Sequence, residues 1–244
     1  MISAALVIGC DYAGTDHRLY HAEDDAMSMW GFLIANGCAP NSIRVLLGDR
    51  ATSDGIGDRL DWLARQCKYP DQTALLFFSG HGMQYRDRIG DELCDQLDEA
   101  IVPADYDSHY QAIDDDYLHE IFCDIKGRLI MIMDCCYSGG VLDPDDLDRV
   151  KSIYPPMDIR ARALGRDLSV RPSQWLKPDP GCLNRLLISA SREGESALDG
   201  VFTSQLINRF EPGHTVLDWM ESVKDLEGHP CVMGDLELIN GYLF

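Results

Sequence analysis

The chain has 244 residues, of which 45% are hydrophobic and 25% charged, a composition that excludes a disordered or fibrous protein. No stretch approaches the roughly 18 consecutive apolar residues that a membrane-spanning helix needs. The 41 acidic and 21 basic residues give a formal net charge of −20. That charge argues against nonspecific binding to nucleic acid or an anionic membrane and favours a basic substrate, a basic partner or a divalent cation.

Apolar runs of strand length alternate with stretches of helical periodicity along the chain. The predicted strands are Ala4 to Ile8, Ile43 to Leu47, Ala74 to Ser79, Ala100 to Val102, Leu129 to Asp134 and Leu186 to Ser189. The predicted helices are Ala22 to Asn36, Ser53 to Cys67, one from about Asp114, Thr203 to Phe210 and Thr215 to Leu226. This alternation predicts an α/β fold with an open, mostly parallel sheet of about six strands and helices on both faces. We expect one domain over residues 1–244.

Residues 138–181 interrupt this pattern, because they lack periodicity and contain six prolines. The stretch is too long for an idle loop, so we expect it to be functional, cleavable or partly disordered. Residues 149–177 hold seven Lys or Arg and two Asp, whereas residues 87–120 hold twelve acidic residues and one basic residue. A basic segment therefore lies within an otherwise acidic chain.

Reactive residues follow two of the predicted strands. Residues 79–82 read Ser-Gly-His-Gly, and residues 134–140 read Asp-Cys-Cys-Tyr-Ser-Gly-Gly. Because parallel strands end at the same edge of a sheet, we expect His81 and a thiol of the second segment to face each other across a cleft. A histidine beside a cysteine promotes the thiolate and can protonate a leaving amine. The N–H groups of Gly82 and Cys136 are the natural donors to a developing oxyanion.

These residues resemble the caspase-like cysteine peptidases, and the metacaspases in particular. In that family one strand ends in Ser-Gly-His-Gly and a later one in Asp-x-Cys-x-Ser-Gly, and His81 and Cys136 lie 55 residues apart in this chain. Further similar segments follow in the family's order at residues 19–26, 98–105, 113–116 and 200–204, so the resemblance covers essentially the whole chain. It implies a caspase-like fold, with Cys136 as the nucleophile and His81 as the general acid and base.

The resemblance also implies a substrate class. Asp134, two residues before the nucleophile, is typical of metacaspases, whose S1 pocket takes Arg or Lys. By motif position Asp25 supplies a second carboxylate, with Asp24 as the neighbouring alternative, and Ser79 supplies a hydroxyl on the wall. Carboxylates pair with a cationic side chain, bidentately when it is arginine. The expected partner is thus a protein or peptide substrate with a basic P1 residue, the residue whose carbonyl is attacked.

A calcium site is a further implication of the resemblance. In several metacaspases a cluster of aspartates outside the active site binds calcium and activates the enzyme. The corresponding positions here are Asp98, Asp114, Asp115 and Asp143. Oxygen ligands from separate loops suit calcium, although Asp114 could instead cap its helix. The sequence therefore predicts Ca²⁺ as an activating cofactor and no organic cofactor.

The prolines and basic residues of 138–181 lie at the position of the family's intersubunit linker, which favours either self-cleavage or autoinhibition there. Two alternatives to an Arg- or Lys-directed peptidase stay open, a catalytically silent scaffold or adaptor and an aspartate-specific caspase. The nine cysteines include no Cys-x-x-Cys pair, and Cys10, Cys67, Cys123 and Cys231 lie in or beside apolar segments, which favours mostly buried free thiols in a reducing cytoplasm. We expect a monomer, because the last strand is short and partly charged.

Overall fold

The computed structural model describes residues 1–86, 97–107, 111–136, 151, 184–191 and 197–244. The strands in these ranges are β1 Ala4–Gly9, β2 Ile43–Leu47, β3 Thr73–Ser79, β4 Gly82–Arg86, β5 Leu97–Ile101, β6 Ile113–Asp114, β7 Arg128–Asp134, β8 Arg185–Ser189 and β9 Cys231–Gly234. The α-helices are α1 Ala22–Ala35, α2 Ser53–Gln66, α3 Asp115–Phe122, α4 Phe202–Asn208, α5 Val216–Val223 and α6 Leu236–Ile239. Short 3₁₀ turns lie at Pro40–Ser42 and Gly48–Arg50.

A six-stranded sheet in the order β2-β1-β3-β7-β8-β9 forms the centre of the fold. Its strands run parallel except β9, which pairs antiparallel with β8. The central strand β3 is buried along its whole length, as expected of a strand covered on both faces. The predicted α/β class with a mostly parallel sheet of six strands is therefore confirmed.

The membership of the sheet differs from the prediction at one strand. Of the run Ala100 to Val102, the first two residues belong to β5, which lies in a separate antiparallel sheet of order β4-β5-β6, and Val102 directly follows that strand. The sixth strand of the main sheet is β9, whose residues are half-buried or exposed. A short apolar run predicts a strand but not its neighbours, and a half-exposed edge strand has no apolar run to reveal it.

Helices cover both faces of the main sheet, as predicted. The alternating side chains of β3 divide between two apolar clusters, Leu76 and Phe78 on one face and Leu75 and Phe77 on the other. The first cluster is completed by α2 and α3, and the second by α1, α4 and α5. Each large apolar side chain buried in this way stabilises the fold by about 1.5–3 kcal/mol, so the sheet is held rigidly between two cores.

The predicted ends of α1, α2, α4 and α5 and the predicted start of α3 lie within one turn of the observed positions, whereas α6 was not predicted. Helix α2 begins after Thr52, whose hydroxyl accepts a hydrogen bond from the Gly55 N–H, and α5 begins with a reciprocal capping box between Thr215 and Asp218. None of the helices in the described ranges has the length and apolar character needed to cross a membrane. Among the cysteines that the structure describes, Cys123 is disulfide-bonded and the others are free thiols: Cys10, Cys38, Cys67, Cys135, Cys136 and Cys231.

Candidate active site

The two reactive segments lie side by side because β3 and β7 are neighbours. Ser79 at the end of β3 stands opposite Asp134 at the end of β7, and the Gly80 N–H donates to the Asp134 carbonyl at 3.3 Å. His81 and Cys136 each follow two residues later, and both are buried. The strand register therefore places four of the predicted site residues at one edge of the sheet.

The imidazole of His81 is held by a main-chain carbonyl. Its Nε2 lies 2.5 Å from the oxygen of His17. A carbonyl only accepts hydrogen bonds, so Nε2 carries the proton in a neutral ring and Nδ1 keeps its lone pair. Nδ1 is buried and, within the described ranges, has no hydrogen-bond partner. Burial lowers the pKa of His81 to about 3, which leaves a neutral ring with one free basic nitrogen.

The thiol of Cys136 contacts the backbone of Ala197. The Ala197 N–H donates to Sγ at 2.8 Å, and the thiol donates to the Ala197 carbonyl at 3.3 Å. Burial raises the pKa of Cys136 to about 12, an effect that these backbone contacts and the charge of Lys151 only partly oppose. In this arrangement the thiol is protonated at neutral pH.

Lys151, the described residue of the predicted linker 138–181, sits with its main chain at the ends of both strands. Its carbonyl oxygen accepts hydrogen bonds from the Gly82 N–H at 3.0 Å and the Cys136 N–H at 3.1 Å. Its own N–H donates to the Ala197 carbonyl at 3.2 Å. A Cβ on Gly82 would lie 1.9 Å from the Cys136 carbonyl oxygen, so only glycine permits this approach. The two N–H groups predicted as oxyanion donors thus converge on one carbonyl.

The side chain of Lys151 ends among the three residues predicted to form the S1 pocket. Its Nζ lies 2.9 Å from Asp134 Oδ1 and 3.1 Å from Asp25 Oδ2, and donates to Ser79 Oγ at 2.7 Å. Ser79 in turn donates to Asp25 at 3.0 Å. The Lys151 side chain is wholly buried. The cleft therefore holds one ammonium group between two carboxylates and a hydroxyl.

The charges in this pocket shift one another's pKa values. Burial opposes the charge on Lys151, but Asp134 and then Asp25 outweigh it and raise the pKa of the ammonium group above its ordinary value. Burial, followed by repulsion from Asp134, raises the pKa of Asp25 to about 6, although Lys151 pulls it in the opposite direction. The ammonium group thus stabilises the pocket, because without a cation two carboxylates would be buried close together.

Asp134 is oriented by a residue that the sequence did not identify as part of the site. Thr203, at the start of α4, donates to Asp134 Oδ2 from its N–H at 3.2 Å and from its hydroxyl at 2.6 Å. Both groups are buried. These bonds occupy Oδ2 and leave Oδ1 to face the ammonium group. Residues 200–204 resemble a family segment, but nothing in that resemblance assigns Thr203 this contact.

The residues predicted to bind calcium are described only in part. Asp114 caps α3, its Oδ1 accepting from the Tyr117 N–H at 2.9 Å, and Asp115 is 1% exposed. Asp98 lies on β5, but its side chain and the whole of Asp143 lie outside the described residues. Among the side chains that are described, no group of three or more His, Cys, Asp or Glu is arranged to hold a metal ion.

Solved structures share this fold. A protein from Geobacter sulfurreducens superimposes with a TM-score of 0.73 and 22% sequence identity, over 100% of this chain and 98% of its own. Caspase-1 from Spodoptera frugiperda gives a TM-score of 0.59 at 12% identity, over 95% of this chain and 85% of its own. The fold is therefore that of the caspase-like proteins.

Sequence comparison gives the family. The profile described as metacaspase, peptidase C14 domain matches residues 3–145. Metacaspase-1A of Neurospora crassa is 29% identical over 197 residues, which are 77% of this chain and 43% of that protein. Metacaspase-1 of Schizosaccharomyces pombe is 35% identical over 151 residues, which are 57% of this chain and 34% of that protein. The chain belongs to the metacaspase family of cysteine-type endopeptidases, and it spans less than half the length of these relatives.

Proposed function

We propose that this chain is a cysteine endopeptidase that cleaves after Lys or Arg, with Cys136 as the nucleophile and His81 as the general acid and base. The observation that carries the proposal is the seating of Lys151. Its carbonyl lies where an oxyanion would be stabilised, its N–H binds Ala197, and its ammonium group lies between Asp25 and Asp134. Lys151 thus makes the contacts that a P1 residue would make.

The proposed reaction uses groups that these contacts place together. Nδ1 of His81 takes the thiol proton of Cys136, and the resulting thiolate attacks the P1 carbonyl carbon. The oxygen gains negative charge where the N–H groups of Gly82 and Cys136 bind it. The carbon–nitrogen bond breaks, and His81 returns the proton to the leaving amine. Water, activated by His81, then cleaves the thioester to release a carboxylic acid and restore the thiol.

The buried dyad fits an uncut chain that is at rest. With the cleft filled, burial keeps Cys136 protonated and His81 neutral, since their pKa values are about 12 and about 3. When the segment around Lys151 leaves, water enters and the desolvation that holds both groups neutral becomes smaller. We expect the thiolate and imidazolium forms to become accessible at that point.

The S1 residues support a basic P1 side chain. Asp25 and Asp134 are both buried and both face the same ammonium group. An aspartate side chain in this position would place a third carboxylate beside them, at a large electrostatic cost. The pocket therefore opposes an aspartate-specific peptidase, and its intact constellation favours an active enzyme over a silent scaffold.

Self-processing follows from the same geometry. Because Lys151 occupies the P1 position, we propose that the chain hydrolyses its own bond between Lys151 and Ser152, leaving a carboxylate on the former and an amine on the latter. Until that bond is cut, Lys151 keeps other substrates out of the pocket. The uncut linker 138–181 would then inhibit the enzyme, and cleavage of the same linker would activate it.

Intact-mass analysis of the purified chain would test self-processing. We expect wild type to yield fragments that end at Lys151 and begin at Ser152, and Cys136→Ala to stay whole. Lys177→Gln is the matched control, since it removes a basic residue of the same linker, and it should be cut as wild type is. Lys151→Gln should lose this cut. Cleavage only at other bonds, with the bond after Lys151 intact, would refute the assignment.

Fluorogenic peptides ending in Arg, Lys or Asp would test the peptidase itself, beside Cys136→Ala. We expect hydrolysis after Arg and Lys that disappears in the variant. Hydrolysis after Asp would instead support an aspartate-specific caspase. Silence on all peptides from a chain that also leaves its own linker uncut would favour a scaffold and contradict the proposal.

We also propose that calcium activates the enzyme through Asp98, Asp114, Asp115 and Asp143. The support is chemical: the donors are carboxylates, and Asp115 is a buried acid at the start of α3. When bound, the ion would supply positive charge that offsets repulsion among these groups. Calcium should raise the thermal unfolding midpoint of Cys136→Ala protein, and magnesium should do so less. Asp115→Asn should abolish the shift, whereas the surface control Asp61→Asn should retain it; equal shifts in both variants would exclude the site.

A further inference from the structure

Tyr12 occupies an unusual position beside the candidate general base. It follows β1, its side chain is 5% exposed, and its backbone has a φ of 51°, in the left-handed region that residues other than glycine seldom adopt. Non-glycine residues in this conformation persist where the surrounding structure holds them, and they cluster at functional sites. The contacts of the side chain show what holds Tyr12 there.

The phenol hydroxyl links two separate segments of the chain. It accepts a hydrogen bond from the His81 N–H at 2.9 Å and donates one to the Val102 carbonyl at 2.6 Å. The Val102 N–H donates back to the His81 carbonyl at 3.0 Å. Three hydrogen bonds thus close a ring through Tyr12, His81 and Val102. Burial raises the pKa of Tyr12 well above its ordinary value, so the hydroxyl keeps the proton that this ring requires.

The aromatic ring of Tyr12 also packs against the imidazole. The two ring centroids lie 4.6 Å apart with an interplanar angle of 36°. The hydrogen bond from Nε2 to the His17 carbonyl selects the tautomer, but one bond leaves the imidazole free to turn about its own axis. Contact with a ring face restricts that turn. A base that activates a nucleophile is usually oriented by a third group. Here the phenol ring of Tyr12, packed against the imidazole, is in a position to be that group.

We propose that Tyr12 is a positioning residue for His81: its hydroxyl fixes the backbone of the histidine and its ring fixes the plane of the imidazole, so that Nδ1 points into the cleft. The proposal rests on the proposed role of His81 as the base. It predicts that loss of the hydroxyl impairs proton transfer and leaves recognition of the P1 side chain intact. Asp25, Ser79 and Asp134, which make the S1 contacts, contribute none of the three hydrogen bonds of this ring.

The test compares Tyr12→Phe with Tyr106→Phe, a partly buried tyrosine in the described region whose ring packs against the same apolar cluster. Rates are expressed per active site titrated with an irreversible Arg-directed thiol reagent, so that unfolded protein does not count. We expect Tyr12→Phe to lower kcat by about 10-fold to 100-fold, part of the rate that general acid–base catalysis typically contributes. KM for the Arg peptide should change less than about two-fold, and Tyr106→Phe should match wild type.

A second measurement does not depend on activity. The ¹⁵N chemical shifts of the His81 ring report its tautomer, and we expect a single form protonated at Nε2 in Cys136→Ala protein. Adding Tyr12→Phe to that background removes the hydrogen bond that fixes the His81 backbone, so Nε2 should no longer stay opposite the His17 carbonyl that selects the tautomer. A mixture of tautomers should then appear, while Tyr106→Phe should not give one. An unchanged tautomer together with an unchanged kcat per titrated site would overturn the proposal. If wild type cleaves no peptide, the proposed function fails, and the tautomer measurement alone still decides the role of Tyr12.

Discussion

Replacing Asp134 by asparagine does more than remove one negative charge, because the hydrogen bonds from Thr203 also determine how the new amide is oriented. Two donors of Thr203 point at Oδ2 of Asp134, so asparagine would turn its single oxygen towards them. Its NH₂ group would then take the place of Oδ1, 2.9 Å from the cation. The variant therefore presents a donor where the substrate needs an acceptor, with almost no change in side-chain volume.

The magnitude follows from the geometry of the pocket. Loss of one partner from a buried, hydrogen-bonded charge pair costs about 2–5 kcal/mol, which corresponds to roughly a 30-fold to few-thousand-fold loss in kcat/KM. The upper part of that range is expected here, because the Asp134 and Lys151 side chains are both fully buried. Asp25 remains as the second carboxylate, so some preference for a basic residue should survive.

The assay compares peptides with arginine and with citrulline at P1, since citrulline keeps the shape of arginine without its charge. Asp134→Asn should reduce cleavage of the arginine peptide by at least about 100-fold and hardly affect the citrulline peptide, so the loss is electrostatic. Asp61→Asn, on the surface of α2, should affect neither. If both peptides lost activity equally in Asp134→Asn, the residue would act through the fold, and the reasoning from charge would be wrong.

Two further predictions concern protonation and backbone geometry. Asp25 has a pKa of about 6, raised first by burial and then by repulsion from Asp134. Because the carboxylate is lost as the pH falls through this value, kcat/KM for an Arg peptide should decrease below about pH 6. The pH profile of Asp25→Asn should lack this decrease, and an identical decrease in that variant would assign it to another group. Gly82→Ala would place a Cβ 1.9 Å from the Cys136 carbonyl oxygen and should cost about 10²–10³ in kcat, the usual effect of losing an oxyanion donor. Gly31→Ala, in an open position on α1, should keep full activity and raise stability by about 0.5–1 kcal/mol in a denaturation curve, so equal losses in the two variants would contradict the steric argument.

The fold was predictable wherever burial on both faces left an apolar run. Strand β3 is an example, since its sequence TALLFFS is continuous and the structure buries every residue of it. Strand β9 lies at the sheet edge with no fully buried residue, so it has no comparable signal. The assignment of Ala100 to Val102 to the main sheet was wrong because pairing depends on long-range contacts that a three-residue run does not encode.

The candidate site was predictable where its chemistry depends on side-chain type at a strand end. His81, Cys136, Ser79 and Asp134 all follow from that rule together with the family resemblance. His17 could not be found, because it acts through its carbonyl and any residue could supply one. The sequence shows that the linker carries seven basic residues, but it does not show that Lys151 is the one that lies between Asp25 and Asp134. That choice depends on the path of the chain, which composition does not report.

The spacing of Ser79 from His81 equals that of Asp134 from Cys136, so each of two neighbouring strands ends in a proposed recognition residue, and a proposed reactive residue follows two positions later. A slip of either strand would displace both kinds of group together. The positions of the recognition groups and the reactive groups are therefore coupled through the register of β3 and β7. An insertion within either strand would shift both kinds of group, whereas exchange of a recognition side chain, including Asp25 on α1, would change the preference alone.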